Sequence, residues 1–153
     1  MKIVDILGKD SIIDELSSQD KKGVLEELVS VLVENTRLKD KERALQVLLE
    51  RERLGSTGIG DGVAIPHGKL EGIEGIICSF GRSREGINFQ SIDDKPANLF
   101  FLLLAPEDSA GDHLKALARL SRLLKDTRFR KRLMEANSKE EIYSIITEED
   151  EIY

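Results

Sequence analysis

The segment Ala97-Asn98-Leu99-Phe100-Phe101-Leu102-Leu103-Leu104-Ala105 constrains this chain more than any other. Leu99 to Ala105 is its longest unbroken apolar run. A strand with one face in water alternates apolar and polar residues, whereas a strand apolar throughout has to be covered on both faces. The run is also far shorter than the roughly 20 residues that a membrane-spanning helix needs. Residues 97–105 are therefore expected to form a central strand with other structure packed on each side.

Helical patterns flank that strand in sequence. Residues 20–53 read as two helices. Val24, Leu28, Val31 and Leu32 make one apolar stripe, and Ala44, Leu45, Leu48 and Leu49 make a second, with Asp40 as its N-cap. Ile73–Phe80 and Ile12–Leu16 are predicted as further strands. A helix is predicted to start near Asp112 and to bury Leu114, Leu117, Ala118, Ser121 and Leu124. Shorter helices follow at Thr127–Glu135 and Ser138–Thr147, where Ser138 and Glu141 are spaced as a capping box. Helices before and after a group of strands imply an α/β sandwich.

At 153 residues the chain has the length of one domain. The net charge of −6 argues against nucleic-acid binding. The basic residues from Lys115 to Arg132 read as a solvated helix surface. One cysteine, Cys78, gives no internal disulfide and no Cys-rich zinc site, and it reads as core. Met-Lys-Ile-Val-Asp has no apolar stretch of a signal peptide. The expectation is a soluble, cytoplasmic protein without membrane insertion, nucleic acid, cofactor or metal.

Between the helical half and the strands, the composition changes. Seven of the 12 glycines fall within residues 55–75. A segment so costly in entropy is expected to have a geometric task. His67, one of two histidines, lies in it behind Pro66, which fixes its own φ and restricts Ile65 to extended backbone. Gly68 is expected to leave room beside the ring. Ser56, Thr57 and unblocked backbone N–H groups could surround an anion. A histidine that accepts a phosphoryl group needs a neutral ring nitrogen, donors for the phosphoryl oxygens and no bulky wall. The segment is neither a Walker A loop nor a Rossmann fingerprint, and two distant histidines carry little metal signal.

Gly55-Ser56-Thr57-Gly58-Ile59-Gly60 and Ala64-Ile65-Pro66-His67-Gly68-Lys69 resemble the active-site segment of the mannitol/fructose-type enzyme IIA domains of the bacterial phosphoenolpyruvate-dependent phosphotransferase system. The likeness extends to Arg51-Glu52-Arg53 and to His113-Leu114, and it is nearest to the nitrogen-regulatory branch. It implies a single enzyme IIA domain over residues 1–153, with a core of about 3–148 and a mixed sheet of about five strands flanked by helices on both faces. It implies a phosphocarrier in which a histidine-containing phosphocarrier protein phosphorylates His67 on Nε2. Arg51, with Arg53 as the weaker candidate, and His113 are implied to stabilise the phosphoryl group, beside Ser56 and Thr57. The downstream partner would be a regulatory target or, in a sugar-transport version, an enzyme IIB. A position at a helix start separately favours a neutral His113 that donates a hydrogen bond.

Around His67, Ile59, Val63 and Ile65 are expected to offer an apolar docking centre, rimmed by Asp61, Glu71 and Glu74.

Overall fold

The computed structural model describes residues 1–152. In chain order, a 3-10 turn at Ile3–Asp5 leads into strand β1 (Leu7–Ile13), then helices α1 (Lys21–Asn35) and α2 (Lys41–Arg53). Three short strands follow, β2 (Gly58–Gly60), β3 (Val63–Ala64) and β4 (His67–Lys69). Two long strands, β5 (Ile77–Ile87) and β6 (Ala97–Ala105), precede helices α3 (Ala110–Leu124), α4 (Thr127–Glu135) and α5 (Lys139–Ile152). Asp20, Asp40 and Asp126 each accept a hydrogen bond from a first-turn N–H of α1, α2 and α4.

The strands form one mixed sheet in the order β1-β5-β6-β3-β2, with β4 also paired to β6. β6 is antiparallel to β5 and parallel to β3 and β4. Its side chains divide between two cores. Leu99, Phe101 and Leu103 pack with α3, α4 and α5, while Phe100, Leu102 and Leu104 pack with α1 and α2. The two-residue period of a strand thus turns one apolar run into the centre of a three-layer sandwich.

Three sequence expectations shift. The first strand is Leu7–Ile13, not Ile12–Leu16. Its pairing with β5 slips between Leu7 and Ile12, and Gly8, Lys9 and Asp10 are all exposed there, so no alternation survives to be read. The strand expected at Ile73–Phe80 runs from Ile77 to Ile87. Its polar second half resembles a loop in sequence because Arg82, only 2% exposed, is buried within it. The Arg82 guanidinium donates to the carbonyls of Asp14, Leu133 and Ala136, closing the C-terminal end of α4. On α3 the buried residues are His113, Ala116, Leu120, Leu123 and Leu124, so the stripe lies one position before the expected one and Leu114 is exposed. A polar residue, His113, starts that stripe and hides its beginning from a hydrophobic pattern.

Among the described residues, no helix is long and apolar enough to cross a membrane.

Candidate functional site

Residues 63–69 behave as one strand interrupted at Pro66. Val63 and Ala64 pair with Leu99 and Phe100, and His67, Gly68 and Lys69 pair with Leu103, Leu104 and Ala105, all in the same register. Proline has no N–H to give to a ladder. Its carbonyl still accepts from Leu103 N at 2.9 Å, so the chain stays aligned across the break. β2 covers only the Val63–Ala64 half, which leaves the His67 half at an edge of the sheet.

Alternation then sorts the side chains. His67 lies with Leu103 on the α3 face, and Gly68 faces α2. A Cβ on Gly68 would stand 2.5 Å from Val47 Cγ1. The space that Gly68 provides is therefore filled by α2 on the opposite face, and not by the imidazole as expected. The glycine allows α2 to approach the strand, and α2 carries Arg51 in its last turn.

The His67 ring is half-buried, and its Nδ1 lies 2.7 Å from the carbonyl oxygen of Ile65. A carbonyl only accepts, so Nδ1 carries the proton and Nε2 is left with its lone pair. Burial is the main force holding the His67 pKa below the usual histidine range, and the Arg51 guanidinium adds to it; the Ile65 bond and the Glu52 charge oppose them. The lowered pKa favours the neutral ring, and the Ile65 bond leaves the lone pair of that ring on Nε2.

His113 lies in the first turn of α3, its ring centroid 5.5 Å from that of His67 and its plane at 71°. It is 6% exposed, and among the described residues its Nε2 is the one buried side-chain nitrogen or oxygen without a hydrogen-bond partner. An orphaned polar atom in a native interior calls for a partner. Burial first, then the cost of a second positive charge beside His67 and Lys69, holds this imidazole below its usual pKa as well. Lys69 received no role in the sequence reading; its place next to Gly68 on β4 brings it to His113.

Arg51 donates from Nη1 to the Gly55 carbonyl at 2.8 Å, tying the end of α2 to the start of the loop. Arg53 is exposed and is absent from the charges that act on His67. The structure thus brings His67, His113 and Arg51 together. The hydroxyls of Ser56 and Thr57 are otherwise engaged. Ser56 donates to the Phe89 carbonyl at 2.8 Å and accepts from Gly58 N. Thr57 is buried and donates to the Glu52 carboxylate. In this arrangement neither hydroxyl proton points to an incoming anion, in contrast to the expected phosphoryl contact.

Glu52 is the residue that sequence reasoning passed over. Its carboxylate also accepts from Thr57 N at 3.1 Å and pairs with Lys21 Nζ at 3.0 Å. The available signal was an acidic residue in the last turn of a helix, where the dipole disfavours it. Cys78 is buried in the core, and burial pushes its thiol pKa up. Among the described residues, no three His, Cys, Asp or Glu side chains converge as a metal site.

A three-layer α/β domain with two neighbouring imidazoles at one sheet edge and a guanidinium at the end of an adjoining helix has the form of a phosphocarrier. Residues 5–149 match the family described as phosphoenolpyruvate-dependent sugar phosphotransferase system, EIIA 2, and the chain belongs to that family. A nitrogen regulatory protein of Bradyrhizobium diazoefficiens is 46% identical over 95% of this chain and 95% of its own. The fructose-specific EIIABC component of Bacillus subtilis is 41% identical over 98% of this chain, which spans only 24% of that protein's length. The crystal structure of the nitrogen regulatory protein IIA-Ntr from Neisseria meningitidis superimposes with a TM-score of 0.87 at 37% identity, covering 94% of this chain and 98% of the other.

Proposed function

We propose that His67 accepts a phosphoryl group on Nε2 from the phosphohistidine of a histidine-containing carrier protein. The observation that carries this reading is the bond from Nδ1–H to the Ile65 carbonyl, which leaves Nε2 as the open atom. The Nε2 lone pair attacks phosphorus as the carrier's N–P bond breaks, and the carrier nitrogen keeps the released electron pair. Donor and acceptor nitrogens are similar in chemistry, so orientation and charge stabilisation are what the protein has to supply. His113 donates to a phosphoryl oxygen, which gives its orphaned nitrogen a partner, and Arg51 offers its planar fork to the same group. Ser56 and Thr57 brace the loop.

The protein acts in this reading as a single cytoplasmic enzyme IIA domain, without metal or nucleotide. Docking uses the face around His67. Val63 and Ile65, expected there, are buried in the core, and Leu54, Ile59 and Leu114 are the exposed apolar residues next to the site in sequence. Asp61 and Glu71 are exposed and suit a basic patch on the carrier. Nitrogen-type regulation through a downstream target fits the likeness to nitrogen regulatory proteins along nearly their whole length. Passing phosphate to a sugar enzyme IIB is the second reading, supported by the likeness to one part of a fructose-specific protein.

Incubation with phosphoenolpyruvate, enzyme I and the carrier tests the reading. Intact-mass analysis should show a gain of one phosphoryl group in the wild type and none in His67→Ala. An unchanged gain in His67→Ala would overturn the assignment. Pull-downs with each form then separate a regulatory target from an enzyme IIB.

A further inference from the structure

Glu52 is 8% exposed in the last turn of α2, a position whose helix dipole disfavours negative charge. A buried carboxylate stays ionised only when it is paired and hydrogen-bonded. Here it meets three donors: Lys21 Nζ at 3.0 Å, Thr57 N at 3.1 Å and the Thr57 hydroxyl. Lys21 is held in turn, with its Nζ 4.8 Å from the centroid of the Phe89 ring. The Thr57 backbone continues the line on its other side, where the Thr57 carbonyl accepts from Ile65 N at 3.0 Å. The Ile65 carbonyl receives the His67 Nδ1 proton at 2.7 Å.

We propose that Glu52, held by Lys21, is a positioning residue that fixes the backbone at Thr57 and at Ile65 and, through it, the tautomer of His67 that leaves Nε2 open. The proposal rests on His67 as the phosphoryl acceptor. Each link is a directional bond that restrains the backbone on one side of a residue, and the bond on the other side of that residue restrains the next. A loop free to rotate the Ile65 peptide would release Nδ1, and the neutral ring would then partition between its two tautomers, one of which blocks Nε2 with a proton.

Long-range proton–nitrogen NMR of histidine-labelled protein reads this directly. In wild type at neutral pH, His67 shows a protonated Nδ1 and a bare Nε2. Glu52→Gln replaces a three-donor acceptor by an amide with one oxygen and two donors of its own. The second tautomer of His67 should then appear, with phosphoryl acceptance slowed about 10-fold, as for other losses of an orienting group behind a reacting one. Thr57→Val should show the same second tautomer, and Thr57→Ser, which keeps the hydroxyl, should restore the single one. The Thr57 pair decides the matter if Glu52→Gln does not fold. A folded Glu52→Gln or Thr57→Val that keeps a single Nδ1–H tautomer overturns the relay, even if its thermal stability is lower. Failure of the wild type to accept phosphate from the carrier would instead count against the acceptor reading, and the tautomer spectra would still judge the relay.

Discussion

At His67 the Ile65 carbonyl decides which nitrogen carries the proton, and at His113 burial without a partner leaves a nitrogen waiting for one. The two imidazoles therefore have different proposed parts, the first to carry the phosphoryl group and the second to hold it. Removing a fixed donor to developing charge costs about 10²–10³ in rate. Arg51→Ala and His113→Ala should fold normally and accept phosphate more slowly by that factor, as measured by rapid-quench transfer from the phosphorylated carrier. Both rings are also held below the ordinary histidine pKa, chiefly by burial. Below about pH 6.5 the unfolded chain then binds protons that the folded chain refuses, so stability falls as the pH drops through that value. Melting temperatures from pH 7.5 to 5 should fall less steeply in a His67→Gln/His113→Gln double variant. Of these residues, His67 was legible in sequence from its Pro66 and glycine setting. His113 and Arg51 became legible only through the family likeness, because no local pattern shows that a helix start and a helix end meet at one ring. Glu52 was missed because its partners, Lys21 and Thr57, lie on separate elements.

Strand 63–69 shows how one element serves two layers. Pro66 interrupts its ladder without changing the register, and alternation sends His67 to one face and Gly68 to the other. A methyl group at residue 68 would meet Val47 at 2.5 Å. Overpacking of this kind costs about 1–3 kcal/mol. Gly68→Ala should lose that much stability in urea unfolding, and Val47→Ala in the same chain should return part of it. Recovery by Val47→Ala would locate the cost at the α2 contact, whereas no recovery would place it elsewhere. β6 was read correctly because its burial on both faces is written as an uninterrupted apolar run. β5 was cut short for the converse reason: Arg82 is buried by satisfying three backbone carbonyls, and a hydrophobic pattern has no sign for that. The face of α3 was misread by one residue because the polar residue that begins it, His113, belongs to the site.

For the whole molecule, the sandwich makes a support with the His67 ring at one edge of the sheet. Two cores on opposite sides of β6 hold α2 and α3 in place, so the Arg51 charge and the His113 ring approach His67 from different layers. The chain already carries a net charge of −6, and a phosphoryl group on His67, as proposed, would add about −1.5 to −2 charges more there. Reversing Asp61 and Glu71 to lysine should slow association with a basic carrier and flatten its dependence on salt. An unchanged association rate in stopped-flow measurements would remove the acidic rim from the docking surface. The overall class was legible from the apolar strand and the flanking helices, and the position of the site was legible from the glycine-rich segment. The layers that meet there were not, since they depend on long-range packing. The most direct test of the central claim is nitrogen NMR of histidine-labelled protein after phosphorylation by the carrier. One phosphoryl group is expected, bonded to Nε2 of His67, with Nδ1 still protonated against the Ile65 carbonyl. A phosphoryl group on Nδ1 of His67, or on His113, would contradict it.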